Sequence, residues 1–333
     1  MKTFIIGIDF SKRTFDATLL QRENLNAEGS HNVFENNKQG LNAFNKWVKN
    51  LVPQEANFVV CAENTGIYSK FISDSLSNQG HTMWLESALQ IKRSSGLTRG
   101  KNDKKDSRII AEYAARYIDK CKPYIVDDKE IEALKALLSQ RRFLVKQKSA
   151  ISKRSKELHI AFKNNPLLVV GKKVDTKLIS LYSQEIKLID KQMQSIIMNY
   201  PKLKKNYDIL TSMKGIGAVN AISFLIYTNN FNRFDFNARK ICSYWGVAPF
   251  ASQSGSSLNG TPHVSHYAET YLKGLLSEAV ICAMRFCPTI RSYAQRLKEK
   301  GKHPSIVANN CKNKMIHILV AMVKNGTYYD NSK

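Results

Sequence analysis

Apolar and polar positions alternate along this chain in patterns that predict its elements. Phe4-Ile5-Ile6-Gly7-Ile8-Asp9 is a continuous apolar run that ends in a carboxylate, the pattern of a buried strand. Strand patterns follow at Asp16 to Leu20 and at His31 to Glu35. From Gln39 to Leu51, Leu41, Phe44, Val48 and Leu51 fall at spacings of three and four, which predicts an amphipathic helix. Phe58 to Glu63 is a second apolar run ending in an acid, followed by an Asn64-Thr65-Gly66 turn, a helix over Tyr68 to Asn78 and a strand at Thr82 to Leu85. Strands first, then strand and helix in turn, predict an α/β fold with a mixed sheet and helices on its faces.

The pattern changes near Asp127. Apolar positions at Ile131, Leu134, Leu138, Val145 and Ile151, and again from Leu178 to Ile196, predict two long helices. Asn164-Asn165-Pro166 and Val170-Gly171 are expected to break the chain between them, giving an antiparallel arm. After Tyr200-Pro201 a compact C-terminal region is expected. It holds Met213-Lys214-Gly215-Ile216-Gly217-Ala218-Val219-Asn220-Ala221, a loop from Phe250 to Ser265, and helices over Tyr271 to Met284 and Ser305 to Val323. The first of these segments fits the helix-hairpin-helix pattern hxGhGxxxA, whose glycines let backbone amides approach a phosphate; a plain helix junction is the other reading. No internal repeat is evident.

Charge adds a partner to this picture. The chain has 51 Lys and Arg against 27 Asp and Glu in 333 residues, a formal charge of +24, which points to a polyanion and first to nucleic acid. Residues 1–120 hold a net +4 and the remainder +20. Arg141 to Lys173 contains ten basic residues and one acid, Glu157, an imbalance that favours phosphate contact over a merely solvated face. The candidate nucleic-acid contacts are Lys101, Lys104 and Lys105; Arg141, Arg142, Lys153 and Arg154; and Lys214, Gly215 and Gly217. Apolar runs such as Ile222 to Tyr227 and Ile316 to Val323 are too short to span a bilayer, and no export signal is expected, since Lys2 is followed at once by the first strand. Six cysteines without a CxxC pair and seven histidines without metal-ligand spacing indicate neither a zinc ribbon nor a disulfide framework; a reduced cytoplasm is expected.

The chemistry lies in the acids. Asp103 and Asp106 open the helical pattern of Ile109, Ile110, Ala114 and Ile118, where carboxylates ordinarily oppose the helix dipole. Residues three apart also share a helix face, so the two could hold one divalent cation. Asp9 and Glu63 each end a strand, and parallel neighbouring strands would set them side by side at one sheet edge. Four carboxylates gathered there would repel one another unless cations compensate, and a cation pair about 4 Å apart suits phosphoryl transfer.

The residues GIDFSK (Gly7 to Lys12), CAENTGIY (Cys61 to Tyr68), KNDKKDSRIIAEY (Lys101 to Tyr113), MKGIGAVNA and YWGVAPFASQSGSS (Tyr244 to Ser257) occur in one order across nearly the whole chain. In this the chain resembles the DEDD-type insertion-sequence transposases, the family of the Piv invertases and the bridge-RNA-guided recombinases. The resemblance implies a RuvC-like (ribonuclease-H-like) domain at 1–126 with magnesium on Asp9, Glu63, Asp103 and Asp106, a basic coiled-coil arm at 127–200, and a transposase domain at 201–333. It also implies that Ser254 is a nucleophile forming a phosphoserine with donor and target DNA, that a structured RNA guides the reaction, and that protomers work as tetramers assembled from dimers. Bacterial cytoplasm, at the nucleoid, is the expected location. Charge alone does not distinguish RNA from DNA, and guidance by RNA comes from the resemblance only.

A serine hydroxyl is a weak nucleophile near neutral pH and needs a base or a cation beside it, which is why the acids and Ser254 belong in one reading. Ser252, Ser256 and Ser257 fit phosphate hydrogen bonding better. Family members often carry Ser-Lys-x-Gly and then Leu-Arg after the serine loop; here stand Ser265-His266-Tyr267-Ala268 and Leu272-Lys273, so a planar guanidinium contact to phosphate is absent at Lys273. Two rivals remain at this level: a metal-dependent junction nuclease without a covalent intermediate, and an inactive nucleic-acid-binding protein.

Overall fold

The computed structural model describes residues 3–53, 56–96, 102–163, 165, 168–254, 258–264, 268 and 270–330, with the backbone alone for 251–254 and 258–263. The chain divides into two compact units, 1–126 and 127–333. In the first, β1 (Thr3–Phe10), β2 (Thr14–Gln21), β3 (Ser30–Glu35), β4 (Asn57–Glu63) and β5 (Thr82–Glu86) form one sheet in the order β3-β2-β1-β4-β5. The pairs β1–β2 and β2–β3 are antiparallel, whereas β1–β4 and β4–β5 are parallel. The mixed sheet expected from the sequence is therefore the one observed.

Four helices accompany the sheet among the described residues: α1 (Lys38–Leu51), α2 (Ile67–Asn78), α3 (Ala88–Ser94) and α4 (Asp103–Arg116). The side chain of Asn37 caps α1 by accepting the Gly40 amide at 2.9 Å, and Leu41, Phe44 and Val48 are its buried stripe. Even-numbered side chains of β1 (Phe4, Ile6, Ile8, Phe10) pack with Phe15, Phe34, Phe44, Ile72 and Leu76 on one face of the sheet. Ile5 packs with Trp84, Ile110, Ala111 and Ala114 on the other. Burial on both faces is why β1 reads as a continuous apolar run rather than an alternating one. The short α3 has no counterpart in the sequence reading, because seven residues are too few to show a helical period.

The second unit begins with α5 (Lys129–Ala161) and α6 (Val169–Asn199), two long helices packed together as the arm. Val170-Gly171 does not break the chain: both residues lie in the first turn of α6, where a helix accommodates glycine at a cost of about 1 kcal/mol. Of the other expected break, Asn164 and Pro166 lie outside the described residues. There follow α7 (Pro201–Ser212), α8 (Ala218–Tyr227), α9 (Ala238–Tyr244), β6 (Pro249–Ser254), β7 (Leu258–Val264), α10 (Thr270–Phe286), α11 (Pro288–Glu299) and α12 (Pro304–Asn325). The expected loop from Phe250 to Ser265 thus contains a hairpin, with β6 and β7 antiparallel and Ser254 paired with Leu258. Its Ser- and Gly-rich sequence carries no apolar alternation that would mark two strands.

One core serves this whole unit. Ile131, Leu134 and Leu138 of α5 and Met193 and Ile197 of α6 are buried with Leu210, Phe224, Trp245, Leu276, Met315 and Leu319. Trp245 stacks on Phe224 at 4.1 Å between ring centroids. Among the described residues, no helix is long and apolar enough to cross a membrane.

Candidate active site

The last paired residues of β1 and β4 are Ile8 and Ala62, so one further step of the parallel register sets Asp9 beside Glu63 at the carboxyl ends of both strands. The partner acids come from α4. Asn102 caps this helix by accepting the Lys105 amide at 2.7 Å, which places Asp103 and Asp106 in its first turn. Three features press α4 onto the sheet. A Cβ on Gly7 would lie 2.2 Å from the Ser107 carbonyl oxygen and 2.3 Å from the Ala111 nitrogen, so only glycine lets the helix backbone meet β1. The hydroxyls of Thr18 and Ser107 share a buried hydrogen bond of 2.7 Å. The Arg108 guanidinium donates to the carbonyls of Leu25, Ala27 and Glu28 at 3.1, 3.0 and 2.7 Å.

This packing brings single carboxylate oxygens of Asp9, Asp103 and Asp106 within 4.8 Å of one another. Asp9, Glu63 and Asp106 also line a cleft of about 670 Å³ together with Thr65, Lys92 and Ser95. Burial, then the charges of Asp106, Asp103, Glu63 and Asp16, push the Asp9 carboxyl up to about 6. The donor set is oxygen only and strongly anionic, which suits a hard divalent cation. Among the described residues, the Thr65 hydroxyl oxygen in the same cleft is buried without a hydrogen-bond partner.

Because the proton and the cation compete for Asp9, cation affinity should fall as pH drops through about 6. We expect binding roughly tenfold weaker at pH 5 than at pH 7, with protons released on binding near pH 6. Calorimetric titration with a divalent cation in buffers of different ionisation enthalpy measures both quantities. A pH-independent affinity with no proton release would contradict the arrangement.

Of the expected nucleic-acid residues, Lys104 and Lys105 are exposed beside the acids, and Lys101 lies outside the described residues. The Arg141 guanidinium forms two hydrogen bonds to Asp190, at 2.6 and 3.3 Å, and Arg154 pairs with Asp175 at 2.5 Å, so both are engaged within the arm. Arg142 lies 3.8 Å over the Tyr271 ring, in a groove of about 700 Å³ that Lys146 and Lys153 also line. Gly215, at φ +101°, turns inward: a Cβ there would stand 2.5 Å from the Ala279 carbonyl oxygen. Gly217 begins α8 with open space before it, and Lys214 is exposed. Ser254 ends β6 in the second unit, and its side chain, like the whole of Gly255, Ser256, Ser257 and His266, lies outside the described residues.

Sequence reading alone passed over Asp16, which stands opposite Asp9 across β1 and β2 and accepts a hydrogen bond from His31 Nε2 at 2.9 Å. Its signal was an acid at an inward position of an otherwise apolar strand. Thr65, Lys92, Lys146 and Tyr271 had no such signal, because each joins its site through a fold that local pattern does not reveal.

A carboxylate cluster at the carboxyl edge of a mixed sheet, joined in one chain to a strongly basic helical unit, defines a nucleic-acid enzyme of the metal-dependent phosphoryl-transfer class. Residues 6–158 match the DEDD transposase family model of the IS110 type, and residues 207–295 match that described as transposase of the IS116/IS110/IS902 family. The chain belongs to this transposase family, and it is a DNA transposase or recombinase with the divalent-metal dependence of its family. Pilin gene-inverting proteins of Moraxella bovis and Moraxella lacunata are each 26% identical to it over 340 residues, covering 99% of this chain and 98% of theirs. An uncharacterised 43.6 kDa protein of insertion element IS110 from Streptomyces coelicolor is 29% identical over 123 residues, 37% of this chain and 30% of that protein.

Proposed function

We propose that this chain cuts and rejoins DNA through a phosphoserine at Ser254, with magnesium held by Asp9, Glu63, Asp103 and Asp106. What supports the reading most is the meeting of the Asp9, Asp103 and Asp106 oxygens within 4.8 Å, with Glu63 on the same cleft. Bound there, a divalent ion would supply charge neutralisation for a phosphate and for a developing alkoxide. The serine Oγ–P bond forms as the P–O bond to the departing strand breaks, and the proton that the serine hydroxyl gives up ends on the departing oxygen, which becomes a free hydroxyl on that strand. The phosphoester is kept, so rejoining to another strand needs no nucleotide hydrolysis.

The first unit is read as RuvC-like (ribonuclease-H-like), a reading favoured by the strand order β3-β2-β1-β4-β5 with its antiparallel first half and parallel second half. Residues 127–200 serve as a nucleic-acid arm and 201–333 as the transposase domain, with Lys104, Lys105, Lys153, Lys214 and Gly217 as the phosphate contacts most open to a ligand, and Arg142 held by the Tyr227 hydroxyl and the Tyr271 ring. A structured guide RNA and a tetramer complete the reading; the net +20 beyond residue 120 suits a chain that holds two nucleic acids at once. Rearrangement takes place at the bacterial nucleoid, as transposition or, like the activity named in the Moraxella proteins, as inversion of a DNA segment.

Denaturing capture of protein on end-labelled DNA tests the central step. Wild type should give a covalent adduct that Ser254→Ala loses completely while keeping DNA affinity within about twofold. Cleavage without an adduct, equal in Ser254→Ala, would identify a metal-dependent nuclease instead.

A further inference from the structure

A second cleft in the first unit, of about 510 Å³, shares α3 with the cleft of the acids. Ala88, Ile91, Lys92 and Ser95 line the acid cleft, whereas Gln90, Arg93 and Ser94 line the second, two helix faces set by spacings of three and four residues. Glu63 and Glu86 are register partners on β4 and β5, and each lines one of the two clefts. Only a short helix, about 10 Å across with its side chains, lies between them.

Three kinds of group meet in the second cleft. Tyr113 and Tyr117 supply aromatic rings, with centroids 5.1 Å apart, and Tyr113 is braced in turn by Trp84 at 5.4 Å. Arg93, Lys120 and Lys122 supply cations, and Glu86 is the one carboxylate among the described lining residues. Residues 97–101, which follow α3 and lie outside the described residues, add Arg99 and Lys101 to the sequence and no acid. Glu86 accepts the Ser87 amide at 2.7 Å through Oε1 and the Tyr113 hydroxyl at 3.1 Å through Oε2. An ionised carboxylate has about four acceptor positions, so each oxygen keeps one for a ligand. Burial, then the charge of Glu86, push the Tyr113 phenol above its ordinary range, so it stays a donor to that carboxylate. Lys120 lies over the Tyr117 ring, 4.7 Å from its centroid, and is exposed. A cation over a ring at an exposed site is held more weakly than a base stacked on that ring. A base can therefore take the ring face and leave the ammonium for its own phosphate.

We infer that this cleft holds one unpaired nucleotide of the DNA strand that crosses the acids, with its base on Tyr117, its exocyclic amine on Glu86 and its phosphate on Lys120 and Lys122. The inference rests on the reading of the chain as a DNA-cleaving recombinase and names a subsite for the strand it cuts. Stacking in a duplex hides the base faces that Tyr117 would contact, so only a base out of the stack can enter. Cytosine suits the carboxylate, because its N4 amino group is a donor, whereas thymine presents a carbonyl oxygen that Glu86 would repel. DNA is the occupant because the strand to be cut lies in the acid cleft, one helix away.

Equilibrium binding of full-length wild type, Tyr117→Ala, Tyr117→Phe and Glu86→Gln to single-stranded oligo-dC, oligo-dT and oligo-rC and to duplex DNA tests the subsite, in a chelator so that no strand is cut. Wild type should hold oligo-dC about tenfold more tightly than oligo-dT. Tyr117→Ala should lose about tenfold on oligo-dC yet stay within about twofold of wild type on the duplex, and Tyr117→Phe should keep both affinities. Glu86→Gln offers a donor as well as an acceptor, so it should bring oligo-dC and oligo-dT within about threefold of each other. Unaltered oligo-dC binding by Tyr117→Ala overturns the inference, and so does an equal loss on the duplex or a loss on oligo-rC alone. Each of these leaves the recombinase reading standing while wild type gives its Ser254-dependent adduct. Wild type without that adduct removes the parent reading, and with it the assignment of this nucleotide to a strand being cut.

Discussion

Asp9→Asn should lower DNA strand cleavage roughly 10³-fold or more while making the metal-free protein more stable at neutral pH. The two effects share one cause. Asp9 is partly buried among Asp106, Asp103, Glu63 and Asp16, and its carboxyl is pushed up to about 6 from an ordinary value of 3.8. Its folded form therefore prefers the proton more than the unfolded chain does. Below pH 4 both states are protonated and the carboxyl costs nothing; as pH rises through 6, ionisation opposes folding, and above that the penalty is constant. Asparagine avoids it. Allowing for the solvent that still reaches the group, the gain is about 1 kcal/mol at pH 7 to 8, or about 3 °C in Tm, and it vanishes near pH 4. Thermal unfolding in a chelator across that range, paired with a cleavage assay, measures both. A variant that is inactive and also less stable at pH 8 would mean that Asp9 is a structural acid.

Gly7→Ala should be nearly as damaging, although residue 7 touches no substrate. The added methyl would sit 2.2 and 2.3 Å from backbone atoms of Ser107 and Ala111, and no side-chain rotamer can relieve a clash with a helix backbone. α4 would have to move outward by about 1 Å, losing the Thr18–Ser107 hydrogen bond and carrying Asp103 and Asp106 away from Asp9. We expect a loss of roughly 2–4 kcal/mol in stability. Cleavage by the fraction still folded should drop roughly 100-fold, the usual consequence of an ångström-scale displacement at a reacting centre. Urea unfolding and single-turnover cleavage at low temperature separate the two losses. An alanine variant with wild-type stability would show that α4 does not press on β1.

Much of this protein was legible in its residue pattern. The apolar runs ending in Asp9 and Glu63, the 3.6-residue periods of α1, α2, α5 and α6, and the excess of Lys and Arg beyond residue 120 are all local or additive properties, which is why they can be read without a structure. They supplied the α/β character of the first unit, the helical character of the second and the polyanionic partner. Features that depend on backbone pairing were less visible: the β6–β7 hairpin looked like a loop, and Gly171 looked like a break although it lies in α6.

Which acids meet was a matter for the tertiary structure. Spacing of three residues makes Asp103 and Asp106 neighbours on any helix, but their approach to Asp9 requires the parallel register of β1 and β4, the bare backbone of Gly7 and the Arg108 clamp on residues 25–28. The same holds for Asp16 beside Asp9, a pair set opposite each other only by the β1–β2 register. Sequence order constrains contacts within a turn or along a strand, because covalent geometry sets those distances. Contacts across many residues are set by packing, and it is packing that concentrates like charges into a site able to bind an ion or a phosphate.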